Sequence, residues 1–507
     1  MNKLCINGND LTLEQVYEVA LRDIQVTLHN DARARMQASR NVIDRVVSSN
    51  VPVYGITTGF GERHKVRISL DQIRQLQINV VRSCACGVGE PLSEHETRAL
   101  MLLRANTLAK GFSGIRPVVV ETLCAMLNRH IHPIIPSQGS VGCGDLAPHA
   151  HLAQVAIGEG EAYFQGKKMA GGKALQVTGI TPLQVEAKEG IALVSGTEAT
   201  LALLALSLRS SEIMIDSADV AAALSLDASR ATPAVFDERI SLVRPFPGQA
   251  KTARNIVRLN RGSEIRESHR SPKKDDRVQD ACSMRCTAQV HGAVRDALAN
   301  VRRTVEIGLN SVSDNPLVFA DSEEVISCGN FDGQQLAMAA DQMAVAIATL
   351  AGISERRVEH MTNPYTSLLP PFLVQESGLN TGFMTVQVTA AALASELKAL
   401  AAPHSVDSIS TSGNQEDYVA MGMSGVRRLR RMLDNVQNVL AIEFLAACQG
   451  IDLLTPLRTG TECQKAYEIV RSVSKHVDVD RSLAPDIAVV ANLISNGIFQ
   501  KLVVEQC

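Results

Sequence analysis

The second half of this chain contains long runs of alanine and leucine in which apolar residues recur at every third or fourth position. The apolar residues of one such run are Leu336, Ala340, Met343, Ile347 and Leu350. Residues spaced in this way lie on one face of an α-helix. Similar periodicity appears in residues 385–401 and 434–449. Because helices of this length must bury their apolar faces against one another, the sequence predicts a mainly all-α protein with a long central helical bundle.

The first 200 residues are richer in loop signals than the rest. Glycines and prolines cluster in three stretches of the chain, residues 55–61, 139–148 and 362–371. Such clusters mark loops, and functional groups usually lie on loops that a rigid scaffold carries. No linker or fixed repeat divides the chain. We expect one compact unit, with a loop- and helix-rich region at 1–200, a long-helix bundle with C-terminal helices at 201–507, and a small β-hairpin near 162–169.

Bulk charge and hydropathy offer no evidence for a nucleic-acid or membrane partner. The formal net charge is −3 and charged residues make up 20% of the chain, so there is no basic footprint for nucleic acid. The two most apolar runs, 335–353 and 381–400, are interrupted by Asp341 in one and by Glu396 and Lys398 in the other. We interpret both as buried helices, because a membrane span needs about 20 predominantly apolar residues.

The eleven cysteines are scattered along the chain, and the N-terminal residues lack the long apolar core of a secretory signal. Free thiols in a reducing, cytoplasmic setting are therefore expected. Two close pairs occur, Cys84 with Cys86 and Cys282 with Cys286. Neither has the second cysteine pair that a structural zinc site needs, so no metal site is expected.

Four motifs follow one another along the chain. The stretch from Gly139 to Pro148 reads Gly-Ser-Val-Gly-Cys-Gly-Asp-Leu-Ala-Pro. The others are Val-Tyr-Gly-Ile-Thr-Thr-Gly-Phe-Gly at 53–61, Ser-Asp-Asn-Pro-Leu-Val-Phe at 313–319 and Asn-Gln-Glu-Asp at 414–417. Together they resemble the histidine and aromatic amino acid ammonia-lyase family over nearly the whole chain. This resemblance implies a helical fold of the fumarase/aspartase-like kind, a homotetramer, and active sites shared between chains.

An ammonia-lyase must remove a weakly acidic β-proton and expel a poor leaving group, so it needs a strong base and a device that activates the amine. By the resemblance, Tyr54 stands in the place of the catalytic base; the alternative is a core tyrosine in a turn. A tyrosine has an ordinary pKa near ~10, and the cations that follow it, Arg63, His64, Lys65 and Arg67, are expected to lower that pKa. Lys65 is also a candidate acid or carboxylate partner, with a solvated loop lysine as the alternative.

Other motif positions resemble the family's substrate pocket. Arg285 matches the arginine that holds the substrate carboxylate, a role that suits a planar guanidinium; a structural salt bridge is the alternative. Glu416 and Met384 match positions that the histidine-specific branch uses, and Glu416 there is associated with the imidazole ring. The complete set of candidate substrate-binding residues is Arg285, Glu416, Phe331, Cys84, Ser195, Gln279, Met384 and Gln415.

The reactive triad departs from the family pattern. In the family it reads Ala-Ser-Gly and cyclises into the electrophile methylidene-imidazolone (MIO). Here the aligned residues are Gly142, Cys143 and Gly144, the loop is one residue shorter, and cysteine replaces serine. Cyclisation with loss of hydrogen sulphide gives the same product in principle. The candidate catalytic residues are therefore Tyr54, Cys143, Gly144 and Lys65.

Three further departures affect residues that surround the triad. Ser195 stands where the family has an asparagine that would hydrogen-bond the electrophile. Cys282 replaces a supporting tyrosine, and Cys84 replaces a histidine that faces the substrate side chain. Most of the changes therefore fall on residues that make, orient or support the electrophile.

Three hypotheses follow for the function. The leading one is a carbon–nitrogen lyase that acts without MIO or any other cofactor on a histidine-like betaine, resembling ergothionase, with trimethylamine as the leaving group. The second is a histidine ammonia-lyase in which Gly142, Cys143 and Gly144 form MIO. The third is a catalytically silent relative that binds a ligand or a partner. The expected partner is a small-molecule substrate, and neither nucleic acid nor membrane is expected.

Overall fold

The structure is a computed structural model that describes residues 3–49, 51–269 and 277–503. It is mostly helical, with 61% of residues in helices and few strands. The prediction of a mainly all-α protein is therefore confirmed.

The described chain forms two compact units that interleave along the sequence. The first unit consists of Met1–Arg209, Arg302–Asp341 and Pro403–Arg428. The second consists of Ser210–Val301, Gln342–Ala402 and Leu429–Cys507. The predicted division of the chain at residue 200 stays a prediction.

The first unit contains eight helices and nine short strands. The helices are α1 Leu13–Leu21, α2 Asn30–Ser49, α3 Ile73–Cys84, α4 Glu94–Ala109, α5 Pro117–Asn128, α6 Leu146–Ala156, α7 Gly171–Thr178 and α8 Glu189–Val194 among the described residues. The strands are β1 Lys3–Ile6, β2 Gln25–Leu28, β3 Val88–Pro91, β4 His132–Pro133, β5 Pro136–Gln138, β6 Glu161–Phe164, β7 Lys167–Ala170, β8 Leu317–Phe319 and β9 Glu324–Ile326. Strands β1 and β2 pair in parallel, and the other pairs are antiparallel. Strands β6 and β7 form the predicted hairpin.

Four long helices have residues in both units: α9 Glu198–Ala228, α14 Thr287–Leu309, α15 Gln334–Thr362 and α18 Gly422–Asp452. The remaining helices belong to the second unit: α10 Glu238–Val243, α11 Pro247–Leu259, α12 Glu264–Ser268, α13 Cys282–Arg285, α16 Pro364–Ser367, α17 Met384–Leu400, α19 Thr461–Val473 and α20 Ala484–Ser495. The apolar periodicity thus predicted α15, α17 and α18 as helices correctly. The expectation that residues 381–400 form a buried helix was wrong, because only Ala390, Ala394 and Leu397 of α17 are buried.

The long helices meet in the second unit around a buried ion pair. Arg357 on α15 donates to Glu443 on α18, and both side chains are fully buried. Glu443 also accepts from Ser225 on α9, and Arg357 lies 3.3 Å from the ring of His291 on α14. A buried charge is tolerated when its partners satisfy it. This network therefore fixes the four helices relative to one another within that unit.

Two stretches are long and apolar enough to cross a membrane, Glu189–Ala228 and Gln334–Thr362. The most apolar windows of the two are 89% and 61% buried inside the protein. Core helices of a helical bundle are buried to this extent. Their length and composition alone are therefore only weak evidence for a membrane span.

A small apolar cluster in the first unit supports the first sequence motif. Ile56, in the middle of the motif, is fully buried and packs with Ile43 of α2, Ile73 of α3 and Val318 of β8. Burying a residue of this type stabilises the fold by roughly 1.5–3 kcal/mol. The loop that carries Tyr54 is therefore anchored to the core two residues beyond it.

Candidate active site

A cavity of about 520 Å³ lies in the first unit, where all four of the sequence motifs come together. Its volume is in the range of small-molecule sites. Six of the predicted site residues line it: Tyr54, Cys84, Cys143, Ser195, Phe331 and Glu416. Residues that are far apart in sequence therefore form one concave surface.

Tyr54 is held by the loop that follows it. The Gly61 N–H donates to the phenolic oxygen of Tyr54 at 2.9 Å. Gly55 has φ +66, and a Cβ there would lie 2.8 Å from the side chain of Ile191. A glycine is needed at this turn because other residues pay steric strain at positive φ. The hydroxyl is consequently fixed at the cavity wall.

Burial raises the pKa of Tyr54 above its ordinary value, and the nearby Glu416 and Cys143 raise the pKa further. The Gly61 N–H opposes them by stabilising the phenolate. The expectation that Arg63, His64, Lys65 and Arg67 lower this pKa was wrong. The side chain of Arg63 is 79% exposed and lies 3.4 Å from Glu62, so solvent screens its charge.

Cys143 lies on a short stretch of extended backbone. The Gly144 N–H donates to the Phe331 carbonyl at 2.7 Å, and the Gly333 N–H donates to the Gly142 carbonyl at 2.9 Å. These two bonds form an antiparallel bridge between Cys143 and Asp332. The backbone atoms on both sides of Cys143 are thereby held against the residues around Phe331.

A buried hydrogen-bond network supports this loop from behind. Ser140 accepts from the Gly142 N–H at 3.1 Å and donates to Asp145 at 2.7 Å. Asp145 also accepts from the Thr200 N–H at 2.8 Å. Burial raises the pKa of Asp145 to about 6. The network connects Gly142 to the start of α6 and to α9.

Burial raises the pKa of the Cys143 thiol to about 12, and the carboxylates of Glu416 and Asp332 raise the pKa as well. The thiol is therefore neutral at neutral pH. Since the thiolate is the form of cysteine that acts as a nucleophile or metal ligand, the environment disfavours both roles for Cys143.

The triad contains the atoms that MIO requires. The ring needs a carbonyl carbon, a leaving group on a Cβ, and an unhindered amide nitrogen; Gly142, Cys143 and Gly144 supply these in order. Gly142 has φ +84, and a Cβ there would lie 2.7 Å from the backbone nitrogen of Gly422. The backbone around Gly142 leaves room for glycine but not for the alanine of the family pattern. Gly142, Cys143 and Gly144 therefore fit the requirements of MIO.

Gly142→Ala is expected to destabilise the protein through both backbone strain and overpacking. Positive φ costs a non-glycine residue about 1–2 kcal/mol, and forcing a methyl group against the Gly422 backbone adds about 1–3 kcal/mol. Urea denaturation measures the sum. Gly166→Ala is the matched control, because Gly166 has φ +71 and a Cβ there would meet no atom within 4 Å. Equal losses in the two variants would contradict the contact with Gly422.

Glu416 provides an unsatisfied acceptor. Its Oε2 atom is buried and has no hydrogen-bond partner among residues 3–49, 51–269 and 277–503. Leaving a buried polar atom unpaired costs free energy that a bound N–H group would recover. Glu416 therefore favours a ligand that carries an N–H donor.

Apolar side chains form the wall near α3, α6 and α8. They are Val80, Leu146, Ile191 and Val194. Cys84, at the end of α3, is half-buried, and burial raises the pKa of its thiol. Ser195 is 6% exposed and follows α8 directly, its N–H donating to Ile191. This wall suits a flat, weakly polar group.

Several predicted residues do not line this cavity. Lys65 and Gln415 belong to the first unit and are exposed. Gln279, Arg285 and Met384 belong to the second unit. The Arg285 guanidinium lies 3.6 Å from the thiol of Cys282, and its Nε atom is buried without a partner in the described part of the chain.

The cavity also includes residues that sequence reasoning did not single out. Asn315 lines it, and its side-chain oxygen accepts from the Cys328 N–H at 2.9 Å. Phe60 and Leu146 line it as well. All three lie inside the recognised motifs, so the sequence placed them near the site. Motif membership does not show which side chains face the cavity.

The helical fold and the loop-borne cavity define the class of this protein. The chain belongs to the aromatic amino acid lyase family, whose sequence profile matches residues 11–472. Its enzyme class is accordingly that of the ammonia-lyases, which are carbon–nitrogen lyases.

Particular relatives narrow the comparison. The chain is 50% identical to a histidine ammonia-lyase of Koribacter versatilis over 511 residues, covering 98% of each chain. The crystal structure of histidine ammonia-lyase from Trypanosoma cruzi matches with a TM-score of 0.92 at 40% identity, covering 99% of this chain and 95% of that one. Ergothionase from Treponema denticola, an ergothioneine degrading enzyme, matches with a TM-score of 0.93 at 29% identity, covering 98% and 99%.

These relatives correct one expectation. We expected no cofactor, but the similar proteins are histidine ammonia-lyases, which use the MIO prosthetic group. The expectation of a cofactor-free enzyme was therefore wrong. The ergothionase-like interpretation is not confirmed, and the histidine ammonia-lyase alternative agrees better with the relatives.

Proposed function

We propose that this protein is a histidine ammonia-lyase that converts histidine to urocanate and ammonia, with MIO formed from Gly142, Cys143 and Gly144. The observation that carries the proposal is the meeting of Tyr54, Cys143 and Glu416 in one cavity. The identity to histidine ammonia-lyases over 98% of the chain supports it.

Formation of the group balances as the loss of one water and one hydrogen sulphide. The Gly144 nitrogen bonds to the Gly142 carbonyl carbon, and the Gly142 oxygen leaves as water with the amide hydrogens of Cys143 and Gly144. Cys143 then loses its Cα hydrogen and its thiol as hydrogen sulphide, which leaves a carbon–carbon double bond. The Gly333 N–H polarises the Gly142 carbonyl through its 2.9 Å hydrogen bond, which favours the attack.

When present, MIO supplies an electrophile that makes the substrate amine a better leaving group. Tyr54 removes the β-proton. Its raised pKa opposes this task until a cationic substrate ammonium enters the cavity, because a nearby positive charge favours the phenolate. Glu416 accepts the imidazole N–H, and the apolar wall around Val80 and Leu146 packs against the ring.

The carboxylate of the substrate needs a cation, which we assign to Arg285. In keeping with the homotetramer implied by the family, we propose that another copy of the chain supplies Arg285, together with Gln279 and Met384. The exposure of this part of the second unit supports the idea: Val278 is 100% exposed and Met384 is 39% exposed. Light scattering of the purified protein tests the tetramer. A cytoplasmic location likewise stays a proposal.

Two measurements test the proposed function together. The tryptic peptide from His130 to Lys167 should be lighter by one water and one hydrogen sulphide than its sequence requires. An ultraviolet assay should then show turnover of histidine to the conjugated acrylate. An unmodified peptide, or turnover of ergothioneine but not histidine, would overturn the proposal.

Glu416→Gln is expected to lower kcat/KM for histidine by about 10- to 100-fold, the equivalent of one hydrogen bond to a charged group. The glutamine amide has nearly the same shape as the Glu416 carboxylate but lacks its negative charge. Steady-state kinetics measure the loss. Asp417→Asn is the control, since Asp417 is an exposed carboxylate next to Glu416 and does not line the cavity. A comparable loss in that variant would mean that loop disturbance, and not the acceptor, is responsible.

A further inference from the structure

A second and larger cavity, of about 780 Å³, lies entirely within the second unit. Its walls come from the end of α9, from the segment 231–237, from α10 and α11, and from α12 with the residues just before it. None of its lining residues belongs to the candidate active site or to the recognised sequence motifs. The reaction proposed above therefore gives this cavity no role.

Five arginines line this cavity, and four of them form what we call the arginine cluster: Arg254, Arg258, Arg261 and Arg266. Arg254 and Arg258 are four residues apart on α11, a spacing at which like charges destabilise a helix. Arg254 and Arg261 are exposed, whereas Arg258 and Arg266 are half-buried. Three guanidinium groups, those of Arg254, Arg261 and Arg266, have no hydrogen bond or ion pair to any described residue.

Arg258 is only partly satisfied. It donates to the Leu502 carbonyl at 2.8 Å, but its Nε atom is buried and unpaired among the described residues. An unpaired buried donor of this kind is costly unless an acceptor reaches it. The cluster therefore contains several donors that an anion would satisfy.

The acidic residues of the cavity do not neutralise the cluster. Asp237 is paired with Arg239 at 2.8 Å. Asp227 is buried, accepts from Thr459 and Gly460, and has a pKa raised by burial. Glu238, which is exposed at the rim, has no ion pair to the cluster within the described chain. The cavity thus keeps an excess of positive charge.

The rest of the wall is mixed, because Thr232, Ser241 and Asn260 are polar and the other uncharged lining residues are apolar. Phe236 is 2% exposed, and Pro233, Ile256 and Val257 also line the cavity. A surface that carries both arginines and apolar side chains matches a ligand with an anionic end and a flat apolar body. Guanidinium groups bind phosphate oxygens in pairs, which favours phosphate as the anionic end.

We propose that this cavity binds an organic phosphate with a flat aromatic body, of the nucleoside monophosphate class. The phosphate contacts Arg254, Arg261 and Arg266, and the aromatic body packs against Pro233 and Val257. A cavity of this volume is large enough for such a ligand. Because the cavity is separate from the motif residues, the proposal holds whichever amino acid the enzyme acts on.

Isothermal titration calorimetry on the full-length protein tests the proposal with three probes: adenosine monophosphate, adenosine and inorganic phosphate. We expect the monophosphate to bind at least about 10-fold more tightly than either of the others. Adenosine lacks the phosphate that the arginines contact, and inorganic phosphate lacks the aromatic body that packs against the apolar residues. Adenosine binding as tightly would overturn the role of the arginines. Phosphate binding as tightly would overturn the role of the apolar residues, and no binding of the monophosphate would overturn the proposal as a whole.

Arg254→Ala combined with Arg261→Ala should weaken binding of the monophosphate by about 10-fold or more. Lys251→Ala is the matched control, because Lys251 is an exposed cation on the same helix α11 but does not line the cavity; its affinity should be unchanged. Both arginines are exposed, so we expect unaltered thermal unfolding without ligand. Equal affinity in the double variant and the unaltered protein would overturn the assignment to this cavity.

Discussion

Tyr54→Phe is expected to lower kcat for histidine by about 10²- to 10⁴-fold, the usual contribution of a positioned general base. The substitution removes only the hydroxyl that accepts from the Gly61 N–H at 2.9 Å. The aromatic ring remains, so KM should change little. Formation of urocanate, followed by its ultraviolet absorbance, measures the loss.

The pH profile separates a base from a structural tyrosine. Burial and Glu416 raise the pKa of Tyr54, so the fraction of phenolate, and with it kcat/KM, should rise as the pH increases above neutral. This alkaline rise should disappear in Tyr54→Phe. Tyr418→Phe is the control, since Tyr418 is 59% exposed and outside the cavity. Tyr54→Phe with full activity and an unchanged profile would exclude Tyr54 as the base.

The helical scaffold was predictable because its signal is periodic and local. Apolar residues at steps of three or four over residues 335–353 predicted α15, and residues 434–449 predicted about half of α18. The pattern could not show that Glu443 and Arg357 are buried together, because a charged pair inside a core depends on residues distant in sequence. Nor could it give the true ends of α18, which begins at Gly422 and runs to Asp452.

The site was predictable only as far as motifs identify residues. The motifs indicated Tyr54, Cys143 and Glu416, which the cavity contains together. The sequence did not predict the pKa of Tyr54 correctly. Arg63 follows Tyr54 closely in sequence, yet its side chain is mostly in solvent. A pKa depends on burial and distance in three dimensions, and neither follows from sequence spacing.

The expectation that the enzyme has no cofactor was wrong for a different reason. Four departures from the family pattern, among them Cys143 and Ser195, led us to expect that the electrophile had been lost. The departures were weighed together as the loss of one function, but they are few, and the chain as a whole remains 50% identical to a histidine ammonia-lyase. The positive φ and tight cradle of Gly142 now explain one of the changes, because an alanine would contact the Gly422 backbone there.

Cys143→Ala is expected to abolish formation of MIO and to lower kcat for histidine by on the order of 10³-fold or more, because at least about 4 kcal/mol of barrier lowering is lost with the electrophile. Alanine has no leaving group on Cβ, so the peptide from His130 to Lys167 should not lose hydrogen sulphide. Cys86→Ala is the control, since Cys86 is an exposed thiol that does not line the cavity. Cys86→Ala should leave the mass of the peptide from His130 to Lys167 and kcat for histidine unchanged.

Cys143→Ser distinguishes a precursor from a thiol that acts directly. Serine carries a leaving group on the same atom, so the peptide should lose two waters, and activity should be retained once the ring has formed. A thiol needed as such, for acid–base chemistry or for contact with the substrate, would lose activity in the serine variant as fully as in the alanine variant. The raised pKa of Cys143 already argues against a thiolate. Activity in Cys143→Ala equal to that of the unaltered protein would contradict the proposed origin of the electrophile, whatever the serine variant did.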